Sequence, residues 1–256
     1  MKFVCSSKSF TEAFNNVALA VDCRSQIPAL QGILLSCGGN EVTLTGYDLE
    51  LTITKRLEAR TEEDGKIILV YNLFRSFFNG YTPIGDRLHV EVSEKNEIAM
   101  ETKESRKWIK VESFYEYPGI PEFVAEKRIV LPSSKLAYML NWVTKTVFDK
   151  NDTVPLISGA LFKLSDSRLN IIAVDGSYAH KSSEPVKVDG NFSFAVPRKT
   201  ILAMNRILKD CDSLEQAEIA VSSESMSLTV DGYTLVSPLS STEDFEKRIK
   251  ELGFEK

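Results

Sequence analysis

The sequence predicts an α+β protein of two tandem domains, each with two helices packed on antiparallel sheets. Three observations lead to this class. The stretch from Ile27 to Thr54 recurs from Val154 onwards, strand-like alternation flanks turn residues in both copies, and four segments carry apolar residues at helical spacing. A repeat that recurs at half the chain length indicates a duplicated structural unit, so both halves are expected to follow one plan.

The two copies align without a gap. Four residues are identical in the two copies and are separated by the same interval. They are Pro28 and Pro155, Gly32 and Gly159, Leu34 and Leu161, and Asp48 and Asp175. Apolar positions between them also correspond. The duplication therefore predicts one domain over residues 1–120 and a second over residues 121–256, joined through the proline-containing stretch Ser113–Lys127.

Each copy reads as two strands joined by a turn. In the first copy Gly32–Cys37 is followed by the turn Gly38–Asn40 and by Val42 and Leu44. The second copy has Ser165–Ser167 at the turn. The aspartates at the next corner, Asp48 and Asp175, are interpreted as acceptors of backbone N–H bonds rather than as catalytic groups, because no base or metal-ligand cluster accompanies them.

The first half carries two helical patterns among strands. Ser7 or Ser9 is expected to cap a helix with a core stripe of Phe10, Phe14, Val17 and Val21. A second helix is expected over Tyr71–Tyr81, and Glu58–Gly65 is expected to be a polar loop. The predicted strands are Lys2–Cys5, Lys66–Val70, Arg87–Val92, Glu97–Glu101 and Lys107–Val111.

The second half repeats this plan. Ser133 or Ser134 precedes a helix with a stripe of Leu136, Leu140, Val143 and Val147, and Pro197 stands at the start of a helix with a stripe of Ile201, Met204 and Leu208. The tail Thr242–Lys256 is predicted to be a short surface helix or a frayed end. The predicted strands are Ile129–Pro132, Asn191–Val196, Glu218–Val221, Met226–Asp231 and Tyr233–Ser237.

Composition excludes several classes of function. The chain of 256 residues has four cysteines without a C-x-x-C pair and only two histidines, so neither a zinc site nor a histidine triad is expected. No apolar run reaches the length of a membrane span, and the N-terminus has no apolar signal region, so we expect a cytoplasmic protein. No nucleotide-binding or nucleophile motif is present. We therefore expect a non-enzyme without metal or cofactor.

Basic residues concentrate on two predicted helices. Lys199, Arg206 and Lys209 fall on one face of the helix after Pro197, with Arg198 beside them. The other helix is the one that follows Ser133 and Ser134. Its side opposite the core stripe carries Lys135, Tyr138, Trp142 and Lys145, and Lys150 follows in the loop. Such faces either follow a phosphate backbone or are ordinary solvated surfaces, and spacing alone leaves both interpretations open.

The chain resembles the bacterial DNA polymerase III beta subunit family, the replicative sliding clamps. The resemblance is carried by Met1–Phe3, Ile27–Leu30, Leu44–Glu50, Trp108–Pro118, Ala173–Gly176 and Val196–Lys199. It implies the DNA clamp fold and a six-domain ring around double-stranded DNA. The ring would tether a DNA polymerase, be placed by a clamp loader, and make or break no bond.

The resemblance also implies sites. Arg24 matches a basic DNA-contacting loop position of the family. The residues expected to face DNA are Arg24, Arg75, Lys135, Lys145, Lys150, Arg198, Lys199, Arg206 and Lys209. The wall of the family's partner-peptide pocket is expected at Ile157, Val174, Gly176, Ser177, Tyr178 and Ala179.

Two departures from the family bear on these expectations. Family members have three domains and close as dimers, whereas two domains suggest a homotrimer; the alternatives are a clamp fragment or a clamp-like regulatory protein that forms no ring by itself. The family's D-G-H-R-L run reads Asp175–Ala179 here as D-G-S-Y-A, and a family proline is missing around Glu243–Lys247. The pocket is therefore expected to be altered, occupied by the tail around Phe245, or lost.

Overall fold

The computed structural model describes residues 1–78, 87–93, 97–103, 106–110, 116–147, 159–175, 178–187, 190–251 and 253. The chain divides into two compact units. The first comprises Met1–Pro121 with Gly232–Thr234, and the second comprises Glu122–Asp231 with Leu235–Lys256. Among the described residues no helix is long and apolar enough to cross a membrane.

In its described residues, the first unit consists of antiparallel strands, two α-helices and two short 3-10 helices. Its strands run in the hydrogen-bonded order β5-β2-β3-β4-β1-β6-β7-β8. In chain order the elements are β1 (Lys2–Ser6), α1 (Ser7–Val17), β2 (Gly32–Gly38), β3 (Glu41–Tyr47), β4 (Thr52–Glu63), β5 (Gly65–Val70), α2 (Tyr71–Phe78), β6 (Arg87–Val92), β7 (Glu97–Glu101) and β8 (Arg106–Lys110).

The second unit repeats the strand–helix–three-strand plan twice and then adds a helix. Its strands form the orders β12-β11-β10-β13 and β16-β15-β14-β9. The elements are β9 (Lys127–Pro132), α3 (Ser133–Val147), β10 (Gly159–Ser165), β11 (Arg168–Asp175), β12 (Tyr178–Pro185), β13 (Phe192–Pro197), α4 (Arg198–Asp210), β14 (Gln216–Val221), β15 (Ser225–Val230), β16 (Tyr233–Pro238) and α5 (Thr242–Glu251).

The repeated hairpins turn in the same way. Gly39 and Asn40 both have positive φ, at 58° and 67°, and Asp166 and Ser167 have φ of 52° and 57°. Two successive residues in the left-handed region make the two-residue turn whose twist matches that of paired strands. The turn residues of both copies therefore set corresponding hairpin registers.

The N-cap of helix α1 lies one residue before Ser7, the nearer of the two predicted caps. Ser6 is the N-cap, and its hydroxyl oxygen accepts a bond from the Ser9 N–H at 3.3 Å. The helix ends at Val17, so Val21 lies outside it. Phe10 and Phe14 are buried as expected, and both rings pack against Phe78 of α2. The unit's aromatic core is thus assembled from both helices.

The predicted polar loop Glu58–Gly65 is wrong, because strand β4 continues to Glu63. Its first part pairs with β3 and its second part pairs with β1, from Ala59 to Glu63. At the start of this stretch, exposed Glu58 and Arg60 alternate with buried Leu57 and Ala59. A strand that changes partner along its length keeps its backbone bonds satisfied, so local polarity does not end it.

The four-stranded sheet of the second unit carries helices on both faces. Phe162, Ile171 and Phe194 are cross-strand neighbours on the face that packs against α3 and α4. The opposite face bears Leu161 and Ala195, which form a buried cluster with α5. This third helix is not part of the predicted two-helix plan. The short helix predicted for the tail is confirmed over Thr242–Glu251, and its Phe245 and Ile249 are buried.

Candidate nucleic-acid and partner-binding surfaces

Helix α4 separates a buried stripe from a basic face. The predicted stripe residues Ile201, Met204 and Leu208 are all buried. Lys199, Arg206 and Lys209 are exposed on the remaining surface, and Arg198 at the first turn is half-buried. The helix starts directly after Pro197, whose missing N–H is not needed at a helix N-terminus. The structure therefore keeps the α4 lysines and arginines on one accessible side.

The positive charge of this face is partly offset by one carboxylate. Arg206 Nη2 lies 3.5 Å from Asp210 Oδ2, one helical turn later. The arginine side chain is 54% exposed and the aspartate side chain 22% exposed. Pairs of this kind contribute little to stability because water screens them, but they do reduce the local positive potential. The sequence analysis considered only the basic residues of this face and did not predict that Asp210 pairs with Arg206.

Helix α3 lies beside α4 and has a second basic face. The Asn205 side-chain amide donates to Thr144 Oγ1 at 3.4 Å, which links the two helices inside the unit. Leu136, Leu140 and Val143 are buried as predicted; the side chain of Val147 is outside the described residues. The α3 sequence contains no acidic residue. Adjacent helices on one sheet face thus carry most of the predicted DNA-facing residues.

The two lysines of α3 have different surroundings. Lys135 Nζ lies 3.2 Å from Glu184 Oε1 on β12. Lys145 Nζ lies 4.0 Å from the centroid of the Trp142 ring. One charge is therefore countered by a carboxylate, and the other is placed on an aromatic face.

The remaining predicted DNA-facing residues are more scattered. Arg24 is exposed in a turn where its own N–H donates to Asp22 Oδ1 at 2.9 Å. Arg75 is exposed on α2, whose Phe74 and Phe78 are buried. Both belong to the first unit. Lys150 lies outside the described residues.

The predicted partner wall is covered by the chain itself. Val174 of β11 pairs with Ala179 of β12, and Phe245 and Ile249 of α5 pack on them. Phe245 is 2% exposed. The assignment of these residues to a partner pocket remains a prediction, and α5 packs on two of them. Ile157, Gly176 and Ser177 lie outside the described residues, as does the side chain of Tyr178.

Asp48 has the structural surroundings that were expected. Its Oδ1 accepts the N–H groups of Glu50 at 3.2 Å and Leu51 at 2.9 Å, so the carboxylate closes the turn between β3 and β4. The side chain of Asp175 is outside the described residues. In the described part of the chain, no three His, Cys, Asp or Glu residues come together to hold a metal ion.

Sequence reasoning missed the residues of β12 that complete the α3 surface. His180 stacks on Trp142 with ring centroids 5.9 Å apart and an interplanar angle of 14°. Glu184, on the same strand as His180, forms an ion pair with Lys135 of α3. Their even-numbered spacing on a strand places both on one face of the sheet. That alternation is a usable signal, but it becomes specific only once the strand is known to neighbour α3.

Two successive units that carry helices on antiparallel sheets, the second with basic faces on neighbouring helices, have the architecture of the DNA clamp fold. Residues 1–121 match the family model described as DNA polymerase III beta subunit, N-terminal domain. Residues 1–121 therefore belong to the DNA polymerase III beta subunit family.

Relatives and solved structures cover most of this chain. The beta sliding clamp of Bacillus subtilis strain 168 is 24% identical over 225 residues, which are 84% of this chain and 58% of the relative. The beta sliding clamp of Chlamydia pneumoniae is 24% identical over 248 residues, which are 95% of this chain and 65% of the relative. The chain therefore spans less than two thirds of the length of these relatives.

The structural comparison supports the same fold. A putative DNA polymerase III beta subunit from Eubacterium rectale superposes with a TM-score of 0.83 at 22% identity, covering 100% of this chain and 69% of that one. The DNA polymerase III subunit beta from Pseudomonas aeruginosa gives a TM-score of 0.80 at 21% identity, covering 97% and 68%. The predicted α+β clamp fold is confirmed.

Proposed function

We propose that this chain is a DNA sliding clamp, a processivity factor that encircles double-stranded DNA and tethers a replicative polymerase. The observation that carries the proposal is the pair α3 and α4. These adjacent helices bury their apolar stripes in one unit and expose Lys145, Lys199, Arg206 and Lys209. Similarity to relatives that are named beta sliding clamps supports it.

The chemistry of this surface suits sliding rather than sequence reading. Lysine and arginine side chains contact phosphates, which are the same along every duplex. Exposed pairs gain little energy each, and salt weakens them. Such contacts position DNA without holding it at one place. In this proposal the chain makes and breaks no bond, so it acts as a non-enzyme and needs no cofactor.

A ring is part of the proposal. Three copies of the two units described here would supply six units, so we favour a homotrimer. Among the described strands, β8 pairs only with β7 and β12 pairs only with β11. An unpaired strand edge can accept a strand from another copy. A head-to-tail contact of this kind closes into a ring when its rotation allows.

The deciding experiment is retention on circular DNA. The chain is incubated with nicked circular duplex DNA at high protein concentration, and bound protein is isolated by gel filtration in moderate salt. A ring is expected to stay on the circle and to leave after one restriction cut. Equal loss from circular and linear DNA would contradict encirclement, because charge contacts alone do not distinguish the two.

A clamp-like regulatory protein that forms no ring by itself is the second candidate. The observation that favours it is the cover of Phe245 and Ile249 over Val174 and Ala179. A polymerase or loader peptide would have to displace α5 to reach this wall, or bind elsewhere. Absolute mass by light scattering over a concentration series separates the candidates: about three chain masses supports the ring, whereas a persistent monomer without DNA retention supports the regulator.

A further inference from the structure

Three aromatic rings form one exposed cluster on the second unit. Tyr138 and Trp142 stand one turn apart on α3, with ring centroids 6.5 Å apart and an interplanar angle of 72°. Trp142 stacks on His180 of β12. Tyr138 is 59% exposed and Trp142 is 41% exposed. We call these three residues, Tyr138, Trp142 and His180, the aromatic cluster. The rings are not part of the buried core, and the phosphate contacts proposed for α4 do not involve them.

The aromatic cluster is surrounded mainly by positive charge. Lys145 lies over the Trp142 ring, and Lys135 lies one turn before Tyr138. The one nearby carboxylate with a described contact, that of Glu184, is paired with Lys135. Burial, together with the charge of Lys145, lowers the pKa of His180. At neutral pH the imidazole therefore adds an uncharged ring to the surface.

Duplex DNA does not explain these rings. Its bases are stacked on one another, so a duplex offers phosphates to lysines but no base faces to aromatic side chains. An unpaired strand offers both. Proteins that bind single strands without sequence preference combine a basic groove with rings on which bases stack. The charge and the rings together select single-stranded nucleic acid as the ligand.

Contact with a second copy of the chain fits less well. The other exposed tryptophan, Trp108 on β8, lies under the guanidinium of Arg106 and next to Lys107. Bringing that edge onto the aromatic cluster would set basic groups against basic groups, which opposes association.

We propose that the aromatic cluster on α3 and β12 binds unpaired bases of single-stranded DNA, with Lys145 and Lys135 near the flanking phosphates. This extends the proposed function, because a clamp on primed DNA would contact duplex through α4 and the unpaired template through α3. It does not depend on ring closure.

The test measures fluorescence anisotropy of labelled oligothymidylate of about twelve nucleotides, within the usual range of site sizes. Trp142→Ala is expected to weaken binding about tenfold, the loss expected for one stacked base. Tyr138→Ala is expected to act in the same direction, and Trp142→Phe, which keeps a ring, is expected to restore part of the affinity. Trp108→Ala is the matched control and should change binding less than twofold.

An abasic oligonucleotide with the same number of phosphates separates stacking from charge. The wild type should bind it about as weakly as Trp142→Ala binds oligothymidylate. Equal affinity of the wild type for the abasic and thymidine strands would overturn the proposal. So would an unchanged affinity of Trp142→Ala, or a change in its mass by light scattering without a change in binding to the oligonucleotide.

The two proposals fail separately. If the protein is not retained on circular DNA but still prefers the thymidine strand over the abasic strand, the clamp proposal is rejected and the proposed single-strand site is supported. Retention with no preference for thymidine over the abasic strand would do the reverse. Circular dichroism melting of both alanine variants checks that the second unit remains folded.

Discussion

Arg206 and Asp210 form an ion pair along α4, with Nη2 and Oδ2 3.5 Å apart. The carboxylate lowers the positive potential of the face proposed to follow DNA phosphates. We expect Asp210→Asn to raise affinity for a short duplex severalfold at low salt. The substitution removes a negative charge that the DNA phosphates repel, and it leaves Arg206 available to contact phosphate. Fluorescence anisotropy with duplex DNA at two salt concentrations measures the change.

Asp244→Asn is the matched control for this variant. Asp244 is exposed in the first turn of α5 and has the same charge. It should leave duplex affinity nearly unchanged if location matters. An equal gain from both variants would show that net charge alone governs binding.

Removing two basic side chains from α4 should alter the salt dependence of DNA binding. Each phosphate contact that is lost reduces the slope of log affinity against log salt by about one. Lys199→Ala with Arg206→Ala is therefore expected to reduce the slope by about two, equally for different duplex sequences. The paired substitution of Lys247 and Lys250 by alanine on α5 is the control, and an identical loss of slope there would remove α4 from the DNA-binding surface.

Truncation of Phe245 should destabilise the second unit. Its ring is 2% exposed in a cluster with Leu161 and Val174, and loss of a buried Phe side chain costs about 3–5 kcal/mol. Urea unfolding of Phe245→Ala measures the loss. Amide hydrogen exchange should show faster exchange in α5 and along β11.

Leu214→Ala is the comparison for that measurement. Leu214 is 85% exposed, so its removal should change the free energy of unfolding by less than about 0.5 kcal/mol. Equal effects of the two substitutions would mean that α5 does not stay on the sheet in solution.

His180 predicts a pH dependence of stability. Its pKa is lowered in the folded state by burial and by Lys145, so near pH 6 the unfolded chain binds more protons than the folded chain. Stability from this residue should therefore fall as pH drops through about 6.5, and the loss should be complete below the folded pKa. Thermal melting between pH 7.5 and 5.5 tests this.

The comparison variants are His180→Gln and Lys145→Ala. The glutamine variant should lose less melting temperature over this range than the wild type. The alanine variant should lie between them, because burial remains when the lysine charge is removed. The same pH profile in all three proteins would assign the dependence to other groups.

The local sequence pattern was sufficient to predict the features whose contacts are made between residues close together in the chain. The turn residues Gly39 and Asn40, the buried stripe of α4 and the acceptor role of Asp48 were all predicted, because each depends on neighbours within a few positions in the chain. The duplication likewise predicted that Gly32 and Gly159 begin corresponding strands. The resemblance to clamps supplied the fold as a whole.

Features that depend on distant partners were missed. β4 continues through Glu58–Glu63 because β1 replaces β3 as its neighbour. The charges of that stretch resemble a loop only while the second partner is unknown. The same reason explains Glu184 and His180, whose contacts with α3 cross a long interval of sequence.

The sequence by itself determined that this chain is a duplicated α+β protein with basic helical faces, since periodicity, turn residues and repeats are encoded locally. Only the tertiary structure decided that α5 covers Val174 and Ala179 and that Trp142 meets His180. Packing between elements selects one arrangement among many that the same amphipathic patterns allow.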